Sequence, residues 1–378
     1  MASPWRGLWV FGDGNRAQLG RQSREVALYA VRLAKGAFRV AACGHFASLA
    51  AAPDGRRLWA WGQADGLPMP EGEEEGAGDV QGRLLAVPTR IRVPPETSIV
   101  HMAAGRWRSL AVLDDGGVAA AGRTWQGESI ARTLQRMPAV DALGERVVAA
   151  SCGWGHALML TAEGHVLAEG YNAQGQASLG LREDEETVPL HRLPLDDVAA
   201  VAAGLDHAGA VTRDGAVRLW GYNEYGQASV STAPLDGVPV TSLALGWAHT
   251  ALLAADGRLL MGGSNAMGQL GCEDEQATWH VVQPEDASDP FVSVSCGRAH
   301  TVAITQHGAA FAWGHGPSTA AGSRSGRVAT PTRIELMLDE DEDEDELLVA
   351  DREAVDERAP ARVRLAASGL DHSVLVVE

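Results

Sequence analysis

The sequence has no run of eighteen apolar residues, so nothing in it reads as a helical membrane span. Its opening, MASPWRGLWVFG, lacks a basic stretch followed by a long apolar one and does not read as a secretory leader. Four cysteines in 378 residues do not make a disulfide framework. Three of them, Cys43, Cys152 and Cys296, recur at one place in a repeated pattern, and a reducing setting follows: an intracellular protein, cytoplasmic and/or nuclear. There is no Gly-x-Ser-x-Gly elbow and no phosphate-binding loop ending in Gly-Lys. The expectation is therefore a protein that is not an enzyme and needs no cofactor.

The formal charge of −18 is unevenly spread. Residues 335–358 hold thirteen acidic and two basic side chains, and residues 71–79 hold five acidic and none basic, which leaves about −2 for everything else. Two acidic insertions, 67–87 and 335–360, thus interrupt a nearly neutral body that otherwise forms one domain over 1–378. The eight consecutive acids Asp339 to Glu346 repel one another and favour disorder; the LLVADREAVDERA stretch after them could form one short helix.

What the sequence has in quantity is glycine, 44 residues, and the glycines recur in register. One motif aligns seven times, at Gly44, Gly105, Gly153, Gly204, Gly246, Gly297 and Gly369, with a mean interval of about 54. A small-residue strand precedes each glycine. Histidine follows three residues later in five copies, His156, His207, His249, His300 and His372, while Ala47 and Arg108 stand at that place in the first two. An Asp-Gly hairpin turn comes next, as at Asp54-Gly55, Asp115-Gly116, Asp214-Gly215 and Asp256-Gly257. An aromatic-glycine strand end closes the unit, as at Trp61-Gly62, Trp220-Gly221 and Trp313-Gly314; in three copies Asn-x-x-Gly-Gln lies close behind that place in the repeat.

Several short strands per fifty-residue unit predict an all-β fold, a seven-bladed β-propeller of four-stranded antiparallel blades. The last unit, from Val363, lacks its Trp-Gly strand, and the first residues supply one, GLWVFG, without a partner. The expectation is that the N- and C-terminal strands pair and close the ring, removing exposed sheet edges.

The repeat resembles that of the regulator of chromosome condensation family, most closely over residues 147–315, as in SCGWGHALMLTAEGHVLAEGYNAQGQASLG. The resemblance implies the same seven-bladed propeller. Within that family the layout is most similar to the fungal alpha-tubulin suppressor proteins. That implies a small zinc-ribbon protein of diphthamide synthesis and transfer-RNA wobble-uridine modification as partner. The family's founding member implies the alternative, guanine-nucleotide exchange on a Ran-like small GTPase. The ultraviolet-B photoreceptor branch carries Gly-Trp-Arg-His-Thr in consecutive blades; here Leu205 interrupts the tryptophans and no arginine follows Trp154 or Trp247, which argues against light sensing.

Cys152/His156 and Cys296/His300 have the residue types of a metal site, but Ala, Leu and Ser alternate with the cysteine, so the position needs a small buried side chain. The histidines read as packing and hydrogen-bonding pieces inside each blade. What the repeat leaves free is the pair between glycine and histidine. From it come the candidate interaction residues Arg106, Trp107, Trp154, Asp206, Trp247, Arg298 and Asp371, on loops that should emerge on one face. The expected partner is another protein, with the chain monomeric apart from it. Scattered basic residues such as Arg106, Arg108 and Arg298 argue against a nucleic-acid partner.

Overall fold

The computed structural model describes residues 7–337 and 361–378, apart from 17, 22–26, 36, 64–66, 69, 73–83, 96, 124–125, 127–128, 180–184, 231, 233–234, 276–278 and 320–325. Most of both acidic insertions, and the helix expected after Asp339–Glu346, lie outside the described residues.

Seven antiparallel sheets are arranged as the blades of a propeller. Blades 1 to 6 occupy residues 40–91, 99–136, 147–192, 198–221, 240–282 and 291–333, and blade 7 joins residues 363–377 to 7–35. Within a blade the chain runs from the axis outwards, as in Val40–Cys43, Ala47–Ala51, Leu58–Gln63 and Leu84–Ile91. The second strands read as nearly unbroken apolar runs, such as HALMLT at 156–161 and HTVAIT at 300–305, and every residue of both is buried. The reason is geometric. A blade is sandwiched between two neighbours, so both faces of its second strand are covered and the usual alternation disappears.

The core is divided accordingly. Seven apolar clusters fill the seven blade junctions; Leu49, Leu58 and Ile91 of blade 1 meet Ile99, Ala111 and Leu113 of blade 2 in one of them. The Asp-Gly hairpins form as expected, with Gly55, Gly116, Gly215 and Gly257 at φ between 67° and 87°, a region open to glycine without steric cost.

Closure occurs where the sequence places it. Gly7–Gly12 pairs antiparallel with His372–Val377, from Gly7 opposite Val377 to Gly12 opposite His372. Its other edge pairs with Ala27–Lys35. Two blades depart from four strands. Blade 4 has three among the described residues; its unit is the shortest, with an interval of 42 from Gly204 to Gly246. Blade 7 gains a fifth, Leu336–Met337, parallel to Ala27–Lys35.

Candidate interaction face

Every innermost strand runs towards the same end of the ring and stops at its motif glycine. The seven glycines then touch in a closed circle. A Cβ on any one of them would fall 2.3–2.6 Å from the carbonyl oxygen of the glycine in the next blade, from Gly44 on Gly105 round to Gly369 on Gly44. No side chain fits there, which explains why the glycine never varies among the seven units. Backbone hydrogen bonds tie the loops together just beyond the circle: Leu205 N–H donates to Gly246 (3.1 Å), Trp247 to Gly297 (3.3 Å) and Arg298 to Leu370 (2.8 Å).

The histidines sit beneath this circle and are buried. Their hydrogen bonds run between blades, not inside one. The Nε2 atoms of His207, His249, His300 and His372 lie 2.8–3.1 Å from the hydroxyls of Thr250, Thr301, Ser373 and Ser48, each in the following blade. Burial pushes the imidazoles of His156, His207 and His372 down to about 3 and that of His249 to about 4. These rings are neutral joints, not acid–base groups.

Arg108, at the histidine place of blade 2, is turned inwards and donates to the Glu169 carboxylate of blade 3, both side chains being mostly buried. It is removed from the scattered surface cations that the sequence suggests. Cys43 and Cys296 are pushed up to about 12 by burial and Cys152 to about 11, so these thiols stay protonated and are poor nucleophiles. Among the described residues no group of three or more His, Cys, Asp and Glu side chains could hold a metal ion.

The seven candidate residues do gather at the glycine end. Arg106 stacks on three rings, its Cζ lying 4.6 Å from Trp107, 5.9 Å from Phe46 and 5.9 Å from Trp154. Trp154 continues the cluster edge-on to Tyr171 at 5.4 Å. Across the channel mouth Arg298 stacks on Trp247 at 5.7 Å and is paired with Asp371, 2.8 Å from Nη2. Asp206 accepts from Gln176 Nε2 at 3.3 Å. Burial raises the carboxyls of Asp206 and Asp371 above their usual range. Trp247 is exposed, whereas Trp107 and Trp154 are half-buried.

Phe46, Tyr171, Tyr225 and Arg16 belong to the same face and escape the sequence pattern. Phe46 was legible: it stands two residues after Gly44, as Trp107 stands after Gly105, in a unit masked by Ala47 at the histidine place. Gln18 is a fourth copy of the Asn-x-x-Gly-Gln glutamine, its carbonyl taking the Trp61 indole N–H at 2.9 Å, as Gln176 does for Trp220 and Gln269 for Trp313.

Such a surface can stack, donate hydrogen bonds and bury aromatic area. Comparisons with known proteins agree with its architecture. The Arabidopsis thaliana ultraviolet-B receptor UVR8 is 30% identical over 258 residues, covering 63% of this chain and 58% of the receptor. The Saccharomyces cerevisiae guanine nucleotide exchange factor SRM1 is 30% identical over 226 residues, 52% of this chain and 47% of that protein. The matched stretch thus spans about half the length of these curated relatives, and 24% of the human probable E3 ubiquitin-protein ligase HERC6. Among solved structures, human WBSCR16 superposes with a TM-score of 0.78 at 23% identity, covering 98% of this chain and 99% of that one. Prp20p of Saccharomyces cerevisiae superposes at 0.76 and 22%, covering 99% and 92%. Residues 7–375 match the RCC1-like domain, and the chain belongs to that family of propellers built from regulator of chromosome condensation repeats.

Proposed function

We propose that the chain is a non-catalytic interaction propeller that binds another protein through the glycine-loop face. The observation that supports this most is the arginine–aromatic cluster of Phe46, Arg106, Trp107 and Trp154, contributed by three blades to one end of the ring. Large aromatics and arginine are the side chains that most often carry interface energy. On the hairpin end, Arg136, Arg213 and Arg258 are instead neutralised by Asp115 and Asp141, Asp197, and Asp256.

A small zinc-ribbon protein of diphthamide synthesis and transfer-RNA wobble-uridine modification is the partner we assign on layout. The chain would then work inside the cell, in cytoplasm or nucleus, in keeping with its four unpaired thiols. The likeness to a guanine nucleotide exchange factor supports a second reading, exchange on a Ran-like GTPase. Co-purification of the wild-type chain and of Trp247→Ala from native extract tests the first reading. A stoichiometric protein partner that weakens in the variant is expected; no partner, or one indifferent to every substitution on this face, overturns it. Acceleration of labelled-nucleotide release from Ran would establish the second reading instead.

A further inference from the structure

The guanidinium of Arg106 is held differently from those of Arg298 and Arg108. Arg298 and Arg108 each face a carboxylate, Asp371 and Glu169. Arg106 lies against Trp107, Phe46 and Trp154 and has no carboxylate partner among the described residues. A second cation, Arg16, lies 5.3 Å from the same Phe46 ring, fixed by its Nη1 donating to Gln63 Oε1 at 3.0 Å. Two cations therefore share one phenyl ring, with no described anion between them.

Two further observations point to a missing acceptor. The indole Nε1 of Trp107, the ring closest to Arg106, is buried and makes no hydrogen bond. Beside it is a small pocket lined by Phe46, Ala47, Gln63, Trp107 and Ser109. It opens at the one junction where alanine, Ala47, replaces the repeat histidine opposite a serine.

We propose that this junction of blades 1 and 2 is a receptor for a carboxylate on a short acidic segment of the partner protein. This rests on the interaction reading above and names the chemistry of one subsite. A carboxylate matches the fork of guanidinium donors, which stacking on Trp107 keeps in one orientation. It neutralises the pair of cations and offers an oxygen to the indole N–H. The pocket admits a group about the size of a water molecule, such as one carboxylate oxygen. The site suits one short acidic segment, not a long polyanion, because Asp206, Glu224 and Asp371 lie on the same face in blades 4 and 7 and would repel an extended one.

The test uses the full chain and a fluorescent decapeptide of alternating Glu and Gly, with its Gln counterpart and a single-stranded DNA decamer as controls, at physiological salt. The Glu peptide should bind at least about tenfold more tightly than the Gln peptide. Arg106→Gln should remove that preference, Arg16→Gln should reduce it, and Arg213→Gln, in an exposed pair on the hairpin end, should leave it intact, with melting temperatures unchanged. Equal binding of the two peptides, indifference to Arg106→Gln, or tighter binding of the DNA overturns the proposal. Glu-peptide binding that emerges only when residues 73–83 are deleted overturns it too, by assigning Arg106 to the chain's own acids. Loss of the native partner with Trp247→Ala but not with Arg106→Gln would remove this subsite and leave the interaction reading standing.

Discussion

His207 and Thr250 meet across the junction of blades 4 and 5, with imidazole Nε2 3.1 Å from the hydroxyl. The same hydroxyl lies 2.8 Å from the Gln227 carbonyl. A carbonyl only accepts, so the threonine gives its proton to Gln227, and His207 Nε2 must carry the hydrogen that the threonine receives. His249, Thr301 and Gln269 repeat the arrangement, at 3.0 Å and 3.0 Å. Each relay runs from a buried ring of one blade to a hydroxyl of the next and back to a buried loop carbonyl of the first, and contributes about 0.5–1.5 kcal/mol.

One relay is broken. The residue that would face His156 is Ala208, and neither nitrogen of His156 makes a hydrogen bond of normal geometry. Ala208→Ser should supply the partner and stabilise the chain by about 1 kcal/mol. Urea unfolding measures this; a loss of stability would mean that the space beside Ala208 is already filled.

Acid should unfold the ring over a narrow range. The buried imidazoles of His156, His207 and His372 are lowered to about 3 and those of His45 and His249 to about 4, chiefly by burial, against 6.5 for the free group. The unfolded chain therefore binds protons that the folded one refuses. The stability is complete above about pH 6.5 and falls as pH drops towards 4. Each such histidine contributes up to about 1.4 kcal/mol per pH unit, and together they can exhaust the stability of a typical domain near pH 5. Circular dichroism against pH should show this, with a shallower slope in His249→Gln.

Glu169 should be essential to the fold. Removing it leaves the Arg108 guanidinium buried without a counter-ion, its Nε already unpartnered. Glu169→Ala should cost about 3–5 kcal/mol, whereas Arg108→Met with Glu169→Leu should cost far less, because an apolar pair carries no desolvation penalty. Similar losses in the two variants would contradict this.

The closing strand should govern cooperativity. Deleting residues 1–12 removes Trp9 and Phe11, both fully buried, and strips His372–Val377 of its partner. Calorimetry should show a lower and broader transition; a melting temperature within about 2 °C of the wild type would refute the closure argument.

Most of the fold was legible in the chain. The glycine period, the Asp-Gly turns and the complementary ends each report local backbone chemistry, and repetition multiplied a weak signal seven times. The face was legible too, because alternating strand direction puts every Gly-to-His loop at one end. Other features were not. Arg108 reads as a surface cation, yet Glu169, 61 residues on, draws it inwards. The relay from His207 to Gln227 passes through Thr250, a residue of the next unit. Phe46 became part of the Arg106 cluster only when three blades converged. The sequence alone determined the repeat, its turns and its closure, since these depend on neighbours along the chain. Which arginine is neutralised and which is left stacked depends on distances between blades, and only the closed ring decides those.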